Sequence, residues 1–441
     1  MKTSRAGRTI VAALVLAGAA CSTSSRAPAP ASTAVAVTTS GPASQPWGML
    51  LLGDHGYDLR YLESKDYEPP LTRDQFVAKE RAEWLEDKRP PAEFRPPAAT
   101  RLANGGWVPA SGLVPVAAAM TRQCTAGSVR CDFAVMLGDN VYPDGATLGQ
   151  DGHDDALRFD RLFREPFASW SRLGPDFRIY VALGNHDWNT SRAGALAQVD
   201  YLARTAPFYM DGLVYRVVPP AAHGEVELFV IDTTVLLAGE TVLEDALADD
   251  GSELPSHEVE QPDGWTRPAT ELERGMVAWL ERALSDSRAR WKVVVGHHPL
   301  WSSAGSKYEQ ARVLRRLLLP VLCRQADLYV SGHDHTLELQ YDDCRDAVPD
   351  GSALPLPAVV SGAASKQRAL NTAFMTHQAR KYPQLRTEWA RGLVWGYAHL
   401  AVSGDAATLS FVTTPDAGSG QPVEAYVTRF TRRSAGARAP Q

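Results

Sequence analysis

Short apolar runs of strand length recur along the chain, and five of them stop at a glycine followed by a polar residue. Met49–Leu52 stops at Gly53-Asp54, Phe133–Leu137 at Gly138-Asp139 and Ile179–Leu183 at Gly184-Asn185. Val293–Val295 stops at Gly296-His297 and Leu328–Ser331 at Gly332-His333. A continuously apolar strand is covered on both faces of its sheet. The glycine permits a tight turn, so each polar residue is set at a strand's carboxyl end. Helical periodicity fills the intervals, over Leu113–Arg122, Ala156–Leu173, Leu272–Leu284 and Glu309–Cys323. Alternating strands and helices predict an α/β fold with its ligands at the strand carboxyl ends. From Ala358 the pattern turns mostly β, over Ala358–Ser361, Gly396–Val402, Thr408–Val412 and Ala425–Phe430.

Three stretches depart from this rhythm. Tyr57–Ala103 is charged and proline-rich, with a helix predicted over Asp74–Glu86, and reads as an insertion or lid beside the first turn. Ala238–Arg267 is acidic, broken by Gly and Pro, and reads as a surface loop. At the start, Lys2, Arg5 and Arg8 precede the apolar run Thr9–Ala20, too short to span a bilayer comfortably. Residues 1–21 therefore read as an export signal. Gly18-Ala19-Ala20-Cys21 resembles the lipobox of bacterial lipoproteins, whose cysteine carries the lipid. Gly18 stands where that pattern usually has Leu, and ordinary cleavage near Ala20 is the other reading. Residues 22–46 are rich in Ala, Ser, Thr and Pro and read as a flexible linker. The expected domain is 47–430, with 57–103 inserted, followed by a tail over 431–441.

Composition narrows the partners. The formal net charge of −6 gives no basis for a nucleic-acid or anionic-membrane partner, both of which want a basic surface. Export to the periplasm or cell envelope would make Cys21, if lipidated, the membrane contact; without the lipid the chain would be secreted. Four further cysteines, Cys124, Cys131, Cys323 and Cys344, suggest disulfides in an exported chain. The local pairing, Cys124–Cys131 and Cys323–Cys344, is the simplest of three that the sequence allows.

The five turns carry the chemistry. Asp54, Asp139, Asn185, His297, His333 and His335 combine carboxylate, amide oxygen and imidazole, the ligand types of first-row transition metals. Converged without a cation, the charged groups would be stranded. Around two ions they make sense, with Asp139 bridging. One Gly-Asp turn alone is ordinary turn chemistry. Five in order are not, and in Gly332-His333-Asp334-His335 alternate side chains of an extended segment point the same way.

In that order, Gly53-Asp54-His55-Gly56, Gly138-Asp139-Asn140-Val141-Tyr142, Gly184-Asn185-His186-Asp187, Gly296-His297 and Gly332-His333-Asp334-His335 resemble the calcineurin-like metallophosphoesterase superfamily. Within it the chain resembles purple acid phosphatases of the small tartrate-resistant type. Most of the superfamily has Asp-x-His in the first motif, where this chain has Gly56. Tyr142, three residues after Asp139, supplies a ligand in the purple branch. Val230-Ile231-Asp232-Thr233, Trp279-Leu280, His298-Pro299-Leu300-Trp301-Ser302 and Val360-Ser361-Gly362-Ala363 extend the likeness. The resemblance implies an αββα sandwich, two central mixed β-sheets flanked by helices. It implies a first metal on Asp54, Asp139, Tyr142 and His335, and a second on Asp139, Asn185, His297 and His333. A phenolate ligand implies Fe(III) at the first site, with divalent Fe, Zn or Mn at the second.

The implied reaction is phosphomonoester hydrolysis of the acid phosphatase type, with a metal-bound hydroxide attacking phosphorus in line. His186 is the expected group at the leaving oxygen. Asp187 either orients His186 or caps a turn. His55 reads as a pocket or surface residue, and His298 as a neighbour of the ligands. The same fold acting on phosphodiesters is one alternative, and a non-catalytic exported binding lipoprotein is another. A serine hydrolase is disfavoured, because no Gly-x-Ser-x-Gly elbow follows a strand.

Overall fold

The computed structural model describes residues 45–62, 67, 69–127, 129–415 and 420–433. The expected export signal, Cys21 and most of the expected linker lie outside them. Two seven-stranded mixed sheets form the centre. In the first, Trp47–Leu52, Phe133–Leu137, Ile179–Ala182 and the short Phe208–Tyr209 run parallel as neighbours. Trp395–Ser403, Ala406–Thr414 and Val423–Thr431 extend it antiparallel on the other side. In the second, Val226–Val230, Trp291–Val295, Leu328–Ser331 and Leu356–Ser361 run parallel as neighbours. Antiparallel strands flank these four: Tyr215–Val217 at one edge, Leu337–Asp342 and Leu385–Arg391 at the other.

Every residue of Trp47–Leu52, Phe133–Leu137 and Val226–Val230 is buried, as continuous apolar runs require. The two sheets share one hydrophobic core. Trp47 meets Trp291 edge-on across it, with ring centroids 6.3 Å apart. Ser361 ties the sheets directly, donating to the Leu51 carbonyl at 2.7 Å while accepting from the Ala398 amide at 3.0 Å. Helices pack outside, which completes the αββα sandwich of the metallophosphoesterase fold.

Several elements differ from the sequence reading. Ala156–Leu173 is not one helix. It is an α-helix over Asp155–Phe159, a wider turn in which the Glu165 amide reaches Asp160 O at 2.8 Å, and a 3-10 turn over Ala168–Arg172. Pro166, which has no amide proton to continue the ladder, stands at the break. Leu272–Leu284 splits at Gly275 into Glu271–Arg274 and Met276–Asp286. The expected tail is corrected at its start: Thr431 ends a strand, and buried Arg433 donates to the carbonyls of Leu322 and Cys323 at 3.1 and 2.7 Å. Both disulfides are the local ones, Cys124–Cys131 and Cys323–Cys344.

The segment from Tyr57 to Ala103 holds a helix, Arg73–Glu86, opened by a Thr72–Gln75 capping box. Its strand Ala99–Arg101 pairs with Trp107–Pro109. It is fastened to the domain by hydrogen bonds from Asn371 to Asp87 O at 3.0 Å and from the Ala98 amide to Gln367 at 2.8 Å.

Candidate metal centre

All five turns arrive at one place, where the carboxyl ends of the two sheets meet. The Gly53 amide donates to Ser361 O at 2.7 Å, and Asp54 Oδ2 accepts the His333 amide at 2.8 Å. The turns are strained: Asp54, Asp139, His333 and His335 all have positive φ, at 59°, 52°, 71° and 44°. Such conformations persist in non-glycine residues only when the surroundings impose them, and they cluster at functional sites. The glycines allow the close approach. A Cβ on Gly184 would lie 2.2 Å from Asp139 Oδ1, and one on Gly332 would lie 2.5 Å from Asp54 Oδ2.

The seven residues expected as ligands form two groups. In the first, the Tyr142 hydroxyl lies 2.7 Å from Asp139 Oδ2, 3.0 Å from Asp54 Oδ1 and 3.0 Å from His335 Nε2. In the second, Asn185 Oδ1 lies 3.2 Å from His297 Nε2 and 3.0 Å from His333 Nδ1, and those nitrogens are 3.2 Å apart. His297 Nε2 is also 3.3 Å from Asp139 Oδ1. Asp139 therefore gives one oxygen to each group. Donor separations near 3 Å are the polyhedron edges that metal–ligand bonds of about 2.0–2.2 Å generate.

The charges are out of balance without cations. Burial opposes the charge on His297, yet Asp139, and Asp54 further off, raise its pKa to about 10. Burial would lift Asp139, but His297 and His186 hold it well below the usual range. Asp54 is raised, first by burial and then by Asp139. Burial pushes His333 and His335 down. His297 Nδ1 is committed to Leu137 O at 2.8 Å, so a proton on Nε2 stands among oxygen acceptors where a metal cation would fit.

The remaining expected residues divide. His186 is half-buried with its ring 4.3 Å from that of Tyr142, and its Nδ1 faces Pro143 O. Its amide donates to Asp139 Oδ1 at 2.9 Å. Asp187 does not touch the His186 ring. Its carboxylate accepts the amides of Gly184, Asn140 and Val141 at 2.8 to 3.0 Å, which is the turn-capping role of the two left open by sequence. His55 is neither a pocket nor a surface residue: it is fully buried against Phe163 and Phe167, which lowers its pKa to about 3. His298 is buried beside His333, with Nδ1 at 2.8 Å from the Thr233 hydroxyl.

Sequence reasoning missed Lys366. Its ammonium lies 4.5 Å from the centre of the Tyr142 ring. The signal was a sixth strand-to-glycine turn, Val360-Ser361-Gly362, whose continuation wraps the site. The Ser365 amide donates to Asp54 O at 3.1 Å, and the Arg368 amide donates to His335 O at 3.2 Å.

Comparisons with known proteins give the family. A family model described as calcineurin-like phosphoesterase matches residues 115–337, half of the chain, and contains every ligand candidate except Asp54. Purple acid phosphatase 17 of Arabidopsis thaliana is 30% identical over 236 residues, covering 53% of this chain and 59% of that protein. Tartrate-resistant acid phosphatase type 5 of Oryctolagus cuniculus is 28% identical over 215 residues, covering 48% and 57%. The chain thus spans under two thirds of the length of these relatives. Among solved structures, a purple acid phosphatase from yellow lupin (Lupinus luteus) seeds aligns with a TM-score of 0.44 at 12% identity, covering 89% of this chain and 55% of that one. PhoD aligns at 0.46 and 11%, covering 90% and 71%. On the strength of the family match and the motifs it encloses, the chain belongs to the calcineurin-like phosphoesterase family.

Proposed function

We propose that the protein hydrolyses phosphate monoesters at a binuclear metal centre, as an exported acid phosphatase. The observation that carries this reading is the pair of four-donor groups sharing Asp139, with the Tyr142 hydroxyl among the donors of the first. Asp54, Asp139, Tyr142 and His335 would hold one ion, and Asp139, Asn185, His297 and His333 the other. Two ions there would neutralise phosphate oxygens and acidify water for attack on phosphorus. A hard phenolate donor favours Fe(III) in the first group, beside a divalent Fe, Zn or Mn in the second.

The chain's own groups do the rest. Asp139, anchored by the His186 amide and by His297, fixes the spacing of the two groups. Leu137 O orients His297 through Nδ1 and leaves Nε2 facing the donors. Pro143 O accepts the Nδ1 proton of His186, which sets that ring on the Tyr142 side and leaves Nε2 free. Burial lowers the pKa of the ring, so it would deliver an Nε2 proton to the leaving oxygen only as the imidazolium that acidic pH favours. Asp187 serves by pinning the turns of Asp139 and Asn185 together. Two disulfides fit an oxidising compartment, the periplasm or cell envelope. Lipid attachment at Cys21 belongs to the same proposal.

The test is to purify the exported domain, measure its metal content and assay a chromogenic phosphomonoester beside the matched diester. Two metals per chain and a monoester preference are expected. Asp139→Ala should lose both metal and turnover, and full activity in that variant sinks the reading. Turnover of the diester alone would transfer the same centre to phosphodiesters.

A further inference from the structure

A cavity of about 300 Å³ opens beside the first donor group. One wall is the helix Arg73–Glu86 and the chain around it, and the opposite wall is the turn Lys366–Ala369. His335 is part of the lining, which sets the cavity against the candidate metal centre. The inserted segment is therefore a wall of the site.

Most of the cavity's charges are satisfied, the exceptions being Lys366, Glu80 and the exposed Arg95. Glu83 is paired with Lys79, and Asp87 with Arg89. Arg368 faces buried Asp334 at 3.6 Å. Lys366 makes no ion pair among the described residues. Its ammonium rests against two aromatic faces instead, Tyr142 at 4.5 Å and Tyr57 at 5.6 Å from the ring centres. Glu80 also lines the cavity, and burial followed by Glu83 lifts its pKa to about 7, which weakens it as a counter-ion. A shielded ammonium without a carboxylate partner is an incomplete site for an anion, and a charge-assisted bond would complete it. Tyr67 and Trp84 add flat surface to the walls.

We propose that this cavity is a subsite for a second anionic group on the substrate, a carboxylate or phosphate carried by the leaving group and bound by Lys366. The proposal rests on the phosphate-ester reading of the metal centre. A neutral leaving group leaves the Lys366 ammonium desolvated and unmatched, so the subsite selects by the cost of the wrong substrate as well as the gain of the right one. The turn that carries Lys366 thereby sets substrate class, with the inserted segment walling the subsite.

The experiment uses the metal-loaded chain and three non-hydrolysable probes: phenylphosphonate, 4-carboxyphenylphosphonate and benzene-1,4-bisphosphonate. Affinities are measured by calorimetry for the wild type, Lys366→Met, Lys366→Gln and Lys366→Arg. At least one charged probe should bind the wild type about tenfold or more tightly than phenylphosphonate, and which one it is separates carboxylate from phosphate. Lys366→Met and Lys366→Gln should bring that ratio near unity, and Lys366→Arg should keep most of it. A wild-type ratio near unity overturns the proposal. So does a ratio that survives in Lys366→Met or Lys366→Gln, including the case in which all three probes weaken equally, which would put Lys366 on the reacting phosphate. Hydrolysis of phenyl phosphate is followed in parallel. Its absence would sink the phosphatase reading while the phosphonate affinities still report on the subsite.

Discussion

The main-chain amide of Tyr142 donates to the carbonyl of Gly56 at 3.2 Å, and the Gly56 amide donates to Asp139 O at 3.2 Å. The first two motifs are therefore laced together at the residues where the chain departs from the common Asp-x-His pattern. A Cβ on Gly56 would lie 2.2 Å from the carbonyl carbon of Asn140 and 2.4 Å from the Val141 nitrogen. These are backbone atoms, which cannot swing aside. A side chain at position 56 and the present course of the 139–142 loop exclude each other.

Gly56→Ala should accordingly be one of the most damaging single-methyl changes in the chain. The expected loss is about 2–4 kcal/mol, at the upper end of point substitutions, read as a fall in the urea midpoint. Metal retention should fall with it, because the loop that moves carries Asp139 and Tyr142. A Gly56→Ala protein with wild-type midpoint and metal content would show that the packing here is looser than described.

Tyr142 predicts a proton count. In the metal-free chain its pKa is raised, first by burial and then by Asp139 and Asp54, so the phenol is protonated and donates to Asp139. His297, at about 10, also carries a proton near pH 7. Filling the site with cations must expel both. Tyr142→Phe keeps the ring that packs against His186 and Lys366 and removes one of the two protons. Calorimetry in buffers of different ionisation enthalpy should find about one proton fewer released per site in Tyr142→Phe. Equal release would mean that Tyr142 stays a phenol and is not a ligand. With Fe(III) bound, the same variant should also lose the visible absorption of a tyrosinate.

Most of this architecture was legible because the strands that matter are apolar on both faces and end at glycine. Phe133–Leu137 and Leu328–Ser331 have the predicted bounds. The turns themselves were readable because their close approach needs glycine beside the ligand; the positive φ falls on ligand residues, and of the five glycines only Gly138 shares it. What escaped was set by contacts between distant parts of the chain. Leu337–Asp342 and Leu385–Arg391 carry Glu338, Gln340, Arg386 and Glu388, so their strand pattern is diluted by polar residues. Glu338 and Gln340 are tolerated in the interior because they bond to each other at 2.7 Å. His55 looked like a pocket residue because it sits in a ligand motif, and only the distant Phe163 and Phe167 show that it is enclosed. Lys366 escaped because its meaning depends on Tyr57 and Tyr142.

His186 and Asp187 are adjacent in sequence and should separate in assay. Asp187 accepts three backbone amides, and burial followed by Asp139 lifts its pKa to about 7. Asp187→Asn leaves one oxygen as acceptor and sets an amide donor against amide donors. It should cost about 1–3 kcal/mol of stability and lower turnover through a displaced Asn185. His186→Ala should leave the melting temperature nearly unchanged and lower kcat by about 10²–10⁴ for poor leaving groups. For activated esters that need no proton, such as a nitrophenyl phosphate, the His186→Ala loss should be smaller. The same dependence on leaving group in Asp187→Asn would return Asp187 to a direct role beside His186.

Asp54 predicts a conflict between stability and function. Its carboxyl is buried at positive φ, and burial followed by Asp139 raises its pKa in the metal-free chain. A carboxyl whose folded pKa lies above its unfolded value binds more protons when folded. Its stabilising contribution is complete below the unfolded pKa, about 3.9, and is lost as pH rises through the folded value. At neutral pH the metal-free chain bears that cost. Asp54→Asn removes the charge, keeps an oxygen to accept the His333 amide, and suits a left-handed backbone at least as well. In chelator at neutral pH, Asp54→Asn should therefore melt higher than the wild type, and the gap should close as pH falls toward 4. With metals supplied the order should reverse, because the wild type gains a carboxylate ligand that the variant lacks. Melting curves of both proteins, with and without metal and across pH, check the two halves separately. A variant that melts lower in chelator would mean that the Asp54 carboxylate is already satisfied by the protein, without a cation.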